Sequence, residues 1–141
     1  MTPPLTSKDF PSTQSQERLE PQEKLHAVDD GSAKLFMGLP KEGTMKENRV
    51  ALVPSSVSAL VAAGHRIVVE SGAGENSNFS DHDFSEAGAQ IVHSKKEVYQ
   101  AEIVVKVAPP NMAETQWLRP GQILISPLQI PVLSKALLLK L

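Results

Sequence analysis

From Lys34 onward the sequence alternates short apolar runs with loops and helical patterns, and this alternation narrows the possible folds more than any other feature. Strands separated by helices argue for a parallel sheet joined by right-handed crossovers. The apolar runs place strands over residues 35–39, 65–70, 89–92, 102–107 and 122–126. Ile67, Val68 and Val69 form a β-branched run suited to a buried pleated surface. A helix is expected over 54–63, with Pro54 at or near its first position and Gly64 as its left-handed cap. Ser80 or Asp81 caps a short helix that carries Phe84 and stops at Gly88. Ser94 with Glu97 has capping-box spacing for a further helix. A short helix over 112–118 and an amphipathic one opening at Pro131 complete the pattern, the latter with Leu133, Leu137 and Leu141 on one stripe. The expected class is α/β: a parallel Rossmann-like or flavodoxin-like sheet of about five strands flanked by helices.

Residues 1–33 are a different material. They hold Pro3, Pro4, Pro11 and Pro21, many Ser, Thr and Gln, and six acids against three bases. Such a segment cannot bury enough surface to offset the entropy of ordering it, so a disordered polar tail is expected. Pro21 is positioned to open a helical turn or two over 22–28. The domain proper is then 34–141. Its roughly one hundred residues suffice for a core.

A formal charge of −2 gives no footprint for nucleic acid or an acidic membrane. The absence of cysteine excludes disulfides, thiolate metal sites and a cysteine nucleophile. No apolar run approaches the ~18 residues of a membrane span, and no secretory or transit signal is visible, so a cytoplasmic location is expected. His26, His65, His82 and His93 lack ligand spacing, so no metal is expected.

Two cations stand out. Arg49 lies in the loop after the first strand, beside the apolar patch Val50 to Val53, where ligands gather in open α/β folds. An arginine there can clamp a carboxylate with two parallel hydrogen bonds. The bland alternative is a surface arginine paired with Glu47 or Glu42; Glu42 is also a candidate partner to orient it. Lys106 interrupts the apolar run Ile103-Val-Val-Lys-Val-Ala108, where charges are rare unless paired or functional. Its alternative is an edge-strand lysine reaching out to water. Gly72-Ala-Gly74 follows a strand, but Ser77 stands where a dinucleotide fingerprint needs its third glycine. It reads as a turn requiring positive φ. Gln129, between Pro127 and Pro131, is either a polar turn residue or an amide held toward the same crevice.

Residues 35–141 resemble the N-terminal domain shared by alanine dehydrogenases and the alpha subunit of proton-translocating pyridine nucleotide transhydrogenases, and the resemblance is closest to the former. It rests on Gly38-Leu-Pro-Lys-Glu42, Glu47-Asn-Arg-Val-Ala-Leu-Val-Pro54, Ala63-Gly-His65, Val69-Glu-Ser-Gly-Ala-Gly74, Phe79-Ser-Asp81, Ala87-Gly-Ala-Gln-Ile91, Val104-Val-Lys-Val107 and Pro120-Gly-Gln122. The resemblance implies that Arg49 and Lys106 bind the carboxylate and carbonyl end of pyruvate or L-alanine. It implies a catalytic histidine at the position held here by Gln129. A glutamine amide does not titrate usefully, though it can donate a hydrogen bond to a carbonyl. NAD is implied as cofactor, bound by a downstream domain that this chain lacks. The fragment alone is therefore expected to be inactive, to be truncated at its C-terminal end, and to expose apolar surface at the end of its sheet. The full-length protein is expected to be a homo-oligomer. The alternatives are a transhydrogenase alpha-subunit piece or a degenerate, non-enzymatic fragment.

Overall fold

The computed structural model describes residues 33–43, 46–127 and 135–139. The expected tail, Gln129 and most of the last helix lie outside them. Five strands form one sheet: β1 (Phe36–Leu39), β2 (Arg66–Glu70), β3 (Gln90–Val92), β4 (Ile103–Val105) and β5 (Ile123–Ile125). All pairings are parallel and the order is β3-β2-β1-β4-β5. The chain winds outward from β1 to one edge, then returns past it to β4 and the other edge. The reversal between β1 and β4 is the topological switch point, the place beyond the strand carboxyl ends where open α/β folds bind their ligands.

The helices are α1 (Pro54–Ala62), α2 (Asp81–Glu86), α3 (Lys95–Val98) and α4 (Lys135–Leu138). Single 3-10 turns occur at Glu75–Ser77 and Glu114–Trp117. Each end of α1 has a local cause. Pro54 opens it, and Gly64, at φ +91°, lets the His65 N–H reach back to the Leu60 carbonyl at 3.1 Å. Ser80 caps α2 in a reciprocal capping box with Asp83. Ser94 occupies the cap position of α3, but its side chain caps nothing and the helix lasts one turn. Spacing alone did not make that box.

The pleat sends alternate residues to two cores. Met37, Leu39, Ile67, Val69 and Ile103 pack with Val57 of α1 and Phe84 of α2 on one face. Val68 and Val92 meet Val98 and Ala101 of the α3 segment on the other. Gly38 permits that second contact, because a Cβ there would stand 2.5 Å from the Val98 carbonyl oxygen. At the β5 edge Ile123 and Ile125 are 55% and 52% exposed, so the sheet does end in apolar surface.

Candidate ligand site at the switch point

The strand expected over 102–107 ends at Val105, so Lys106 is the first residue past the carboxyl end of β4. Its N–H still bonds the Ile125 carbonyl at 2.9 Å, which fixes the main chain there. β4 lies between β1 and β5, so the edge-strand alternative does not apply. The Lys106 side chain has no exposed surface; its Nζ lies 3.0 Å from Glu42 Oε2 and 3.4 Å from Glu114 Oε1.

These contacts belong to a chain of alternating charges across the ends of β2, β1 and β4. Lys95 Nζ lies 3.1 Å from Glu114 and 3.8 Å from Glu70, so the order runs Glu70, Lys95, Glu114, Lys106, Glu42. Lys95 also donates to the Lys41 carbonyl at 2.7 Å. Buried ions lose hydration worth several kcal/mol each, and persist where charge and hydrogen bonds replace the water. Here each carboxylate also accepts a main-chain N–H: Glu42 from Val107 at 2.6 Å, Glu70 from Lys41 at 2.6 Å, and Glu114 from Asn111 at 2.8 Å. The Tyr99 ring packs edge-on to Trp117, and among the described residues its buried hydroxyl has no hydrogen-bond partner. Burial first, and then Glu114, Glu42 and Glu70, push its phenol well above the ordinary range, so Tyr99 stays neutral beside the network.

Arg49 is placed differently. Its Nε and Nη2 donate to the two oxygens of Glu47 at 2.8 and 2.7 Å, and its side chain is 77% exposed. The hydrogen bonds from Arg49 hold the Glu47 carboxyl down at about 2. This is the exposed pair with Glu47 that the sequence offered as the bland alternative for Arg49. Glu42, the other candidate partner, serves Lys106 instead and accepts the Val107 N–H at the end of β4. The two cations singled out in the sequence therefore lie beyond the same end of neighbouring strands but share no carboxylate. The contact between Glu42 and Lys106 ties the connection that carries Arg49 to the end of β4.

Glu114, Lys95 and Glu70 escaped the sequence reading. Glu114 sits in a polar stretch after two prolines, where nothing in the residue pattern marks it as 1% exposed. Gly72 has φ +75°, as a turn requires, while Gly74 is glycine for space. A Cβ on Gly74 would come within 2.6 Å of the Phe84 ring and 2.8 Å of the Phe79 carbonyl. The pair is packed against aromatics, and no helix opens until Asp81, so it does not form a cradle for a dinucleotide pyrophosphate. Among the described residues no group of His, Asp and Glu has a metal-holding arrangement, and no helix is long and apolar enough to cross a membrane.

The sequence model of the family described as alanine dehydrogenase/PNT, N-terminal domain, matches residues 38–141. The chain belongs to this family. Among relatives, alanine dehydrogenase from Methanococcus maripaludis is 43% identical over 108 residues, which are 74% of this chain and 29% of that protein. Alanine dehydrogenase from Bacillus subtilis is 42% identical over 106 residues, 73% of this chain and 28% of its own length. A solved L-alanine dehydrogenase superposes with a TM-score of 0.70 at 40% identity, covering 74% of this chain and 28% of its own. A transhydrogenase from Sinorhizobium meliloti gives 0.59 at 33% identity, covering 62% and 25%. The chain thus spans under a third of the length of the relatives it matches. The parallel α/β architecture read from the sequence is that of this family's members.

Proposed function

We propose that these residues are the substrate-side domain of an alanine dehydrogenase-like oxidoreductase, which converts L-alanine, NAD and water to pyruvate, ammonia and NADH. The observation that carries the reading is the Glu42–Lys106 contact at 3.0 Å, which joins the start of the loop after β1, the loop that also holds Arg49, to the end of β4 at the switch point. Arg49 holds the ligand carboxylate. Lys106 serves the carbonyl, imine or carboxylate oxygen: an ammonium has three donors, and Glu42 and Glu114 take two. Because Lys106 is sealed from solvent, the ligand reaches it by taking the place of a group now covering it. Gln129, outside the described residues, lines the same pocket as a hydrogen-bond donor in the place of a catalytic histidine. NAD belongs to a domain downstream of these residues, since Gly72 and Gly74 are spent on a turn and on packing. The full-length protein is a homo-oligomer acting in the cytoplasm.

Alanine added to the 141-residue chain with NAD should give no rise in NADH absorbance; steady turnover above blank would overturn the assignment of hydride chemistry to a domain outside these residues. Calorimetric titration of the chain with pyruvate should show binding that Arg49→Ala abolishes. Absence of heat at millimolar pyruvate would leave a degenerate fragment as the better account. The similarity to a transhydrogenase supports a second reading, the front of a transhydrogenase alpha subunit. Downstream sequence separates the two, because membrane spans after a nucleotide domain belong to the second.

A further inference from the structure

We propose that Glu47 is a positioning residue for Arg49, one that aims the outer edge of the guanidinium at a small monocarboxylate. The proposal rests on the reading of Arg49 as the carboxylate grip. A guanidinium carries five N–H donors in a planar fork, and more than one of its edges can take a carboxylate side by side. Glu47 uses a single edge, through Nε at 2.8 Å and Nη2 at 2.7 Å. Among the described residues Nη1 donates to no partner. The edge formed by Nη1 and the second Nη2 hydrogen is therefore left for an anion. Exposure agrees: the Glu47 side chain is 14% exposed and that of Arg49 is 77%, so the carboxylate is seated and the guanidinium stands in solvent.

The brace extends into the main chain. Glu47 Oε1 also accepts the Arg49 N–H at 2.8 Å, closing a ring within three residues. Between them, the Asn48 carbonyl accepts the Ser77 hydroxyl at 2.8 Å, which fastens the segment to the turn after β2. Backbone and side chain of Arg49 are thus ordered before a ligand arrives. A long, flexible side chain that is already ordered gives up less entropy on binding. The rival possibility is that Glu47 competes with the ligand carboxylate for the same donors, and it predicts the opposite sign.

The test titrates the 141-residue chain and its Glu47→Gln and Arg49→Ala variants with pyruvate, and follows the Arg49 Nε–H resonance by NMR. Glu47→Gln should weaken pyruvate binding about 2- to 12-fold, the cost of ordering one rotamer-rich side chain during binding. The Nε–H signal should be present in the parent chain and lost to exchange in Glu47→Gln, with the melting temperature nearly unchanged. Binding lost in Arg49→Ala but unaltered or tightened in Glu47→Gln overturns the positioning role alone. Binding that survives Arg49→Ala overturns the reading of Arg49 and this proposal with it.

Discussion

Replacing Lys106 by methionine keeps the length of the side chain and removes its charge, so it tests whether the buried network holds the switch point together. Lys106 has 0% side-chain exposure and its partners Glu42 and Glu114 have 5% and 1%. Removing one partner of such a pair typically costs about 3–5 kcal/mol, because the remaining charge is stranded. Here the strandings are partial. Glu42 keeps the Val107 N–H, and Glu114 keeps Lys95 and the Asn111 N–H. The lower end, about 3 kcal/mol, is therefore expected. At about 4–8 °C per kcal/mol for a domain of this size, the melting temperature should fall by roughly 12–24 °C. Thermal unfolding followed by far-ultraviolet circular dichroism reads this directly. Lys41→Met is the control, since its pair with Glu75 is 41% and 65% exposed and worth at most about 1 kcal/mol. Adding Glu42→Gln to Lys106→Met should recover part of the loss by removing a stranded charge. A Lys106→Met midpoint within about 3 °C of the parent, or a control that costs as much, would refute the reasoning.

Tyr99 is the one tyrosine in the chain, so phenolate absorbance near 295 nm reports it alone. Its folded-state titration is raised by burial and the nearby glutamates, so its contribution to stability is full below the unfolded value near 10 and is lost as pH rises above it. The phenolate signal should appear only as the chain unfolds, and Tyr99→Phe, which removes a hydroxyl without a partner, should abolish that alkaline dependence. Gly38→Ala should destabilise by about 1–3 kcal/mol in urea unfolding, because the new methyl meets main chain at Val98 that cannot swing aside.

Much of this fold could be read from residue pattern because its signals are local. The apolar runs, the proline opening α1, the glycine closing it and the Ser80 cap each act over a few residues, and each stands where the pattern put it. Ser94 and Glu97 show the limit: the same spacing yields no box when the helix is a single turn. Lys106 was visible as a charge in an oily run, but its partners were not. Glu42 and Glu114 stand 64 and 8 residues away from it, and sequence carries no mark of which carboxylate will be buried. Glu42 was one of two candidate partners for Arg49 and turned instead to β4, since a parallel β1–β4 pairing puts the Val107 N–H within its reach. Arg49 took Glu47, two residues before it, the other partner the sequence had offered and the one loop geometry puts within reach.

Under the proposed function, the loop after β1 and the end of β4 form one site for a small keto acid. Amide chemical-shift mapping of the isotope-labelled chain during a pyruvate titration tests it most directly. Saturable shifts are expected, largest at Glu42, Arg49 and Val107, and all absent in Arg49→Ala. Shifts that instead centre on Arg66 or Arg119, or none at millimolar pyruvate, would contradict it.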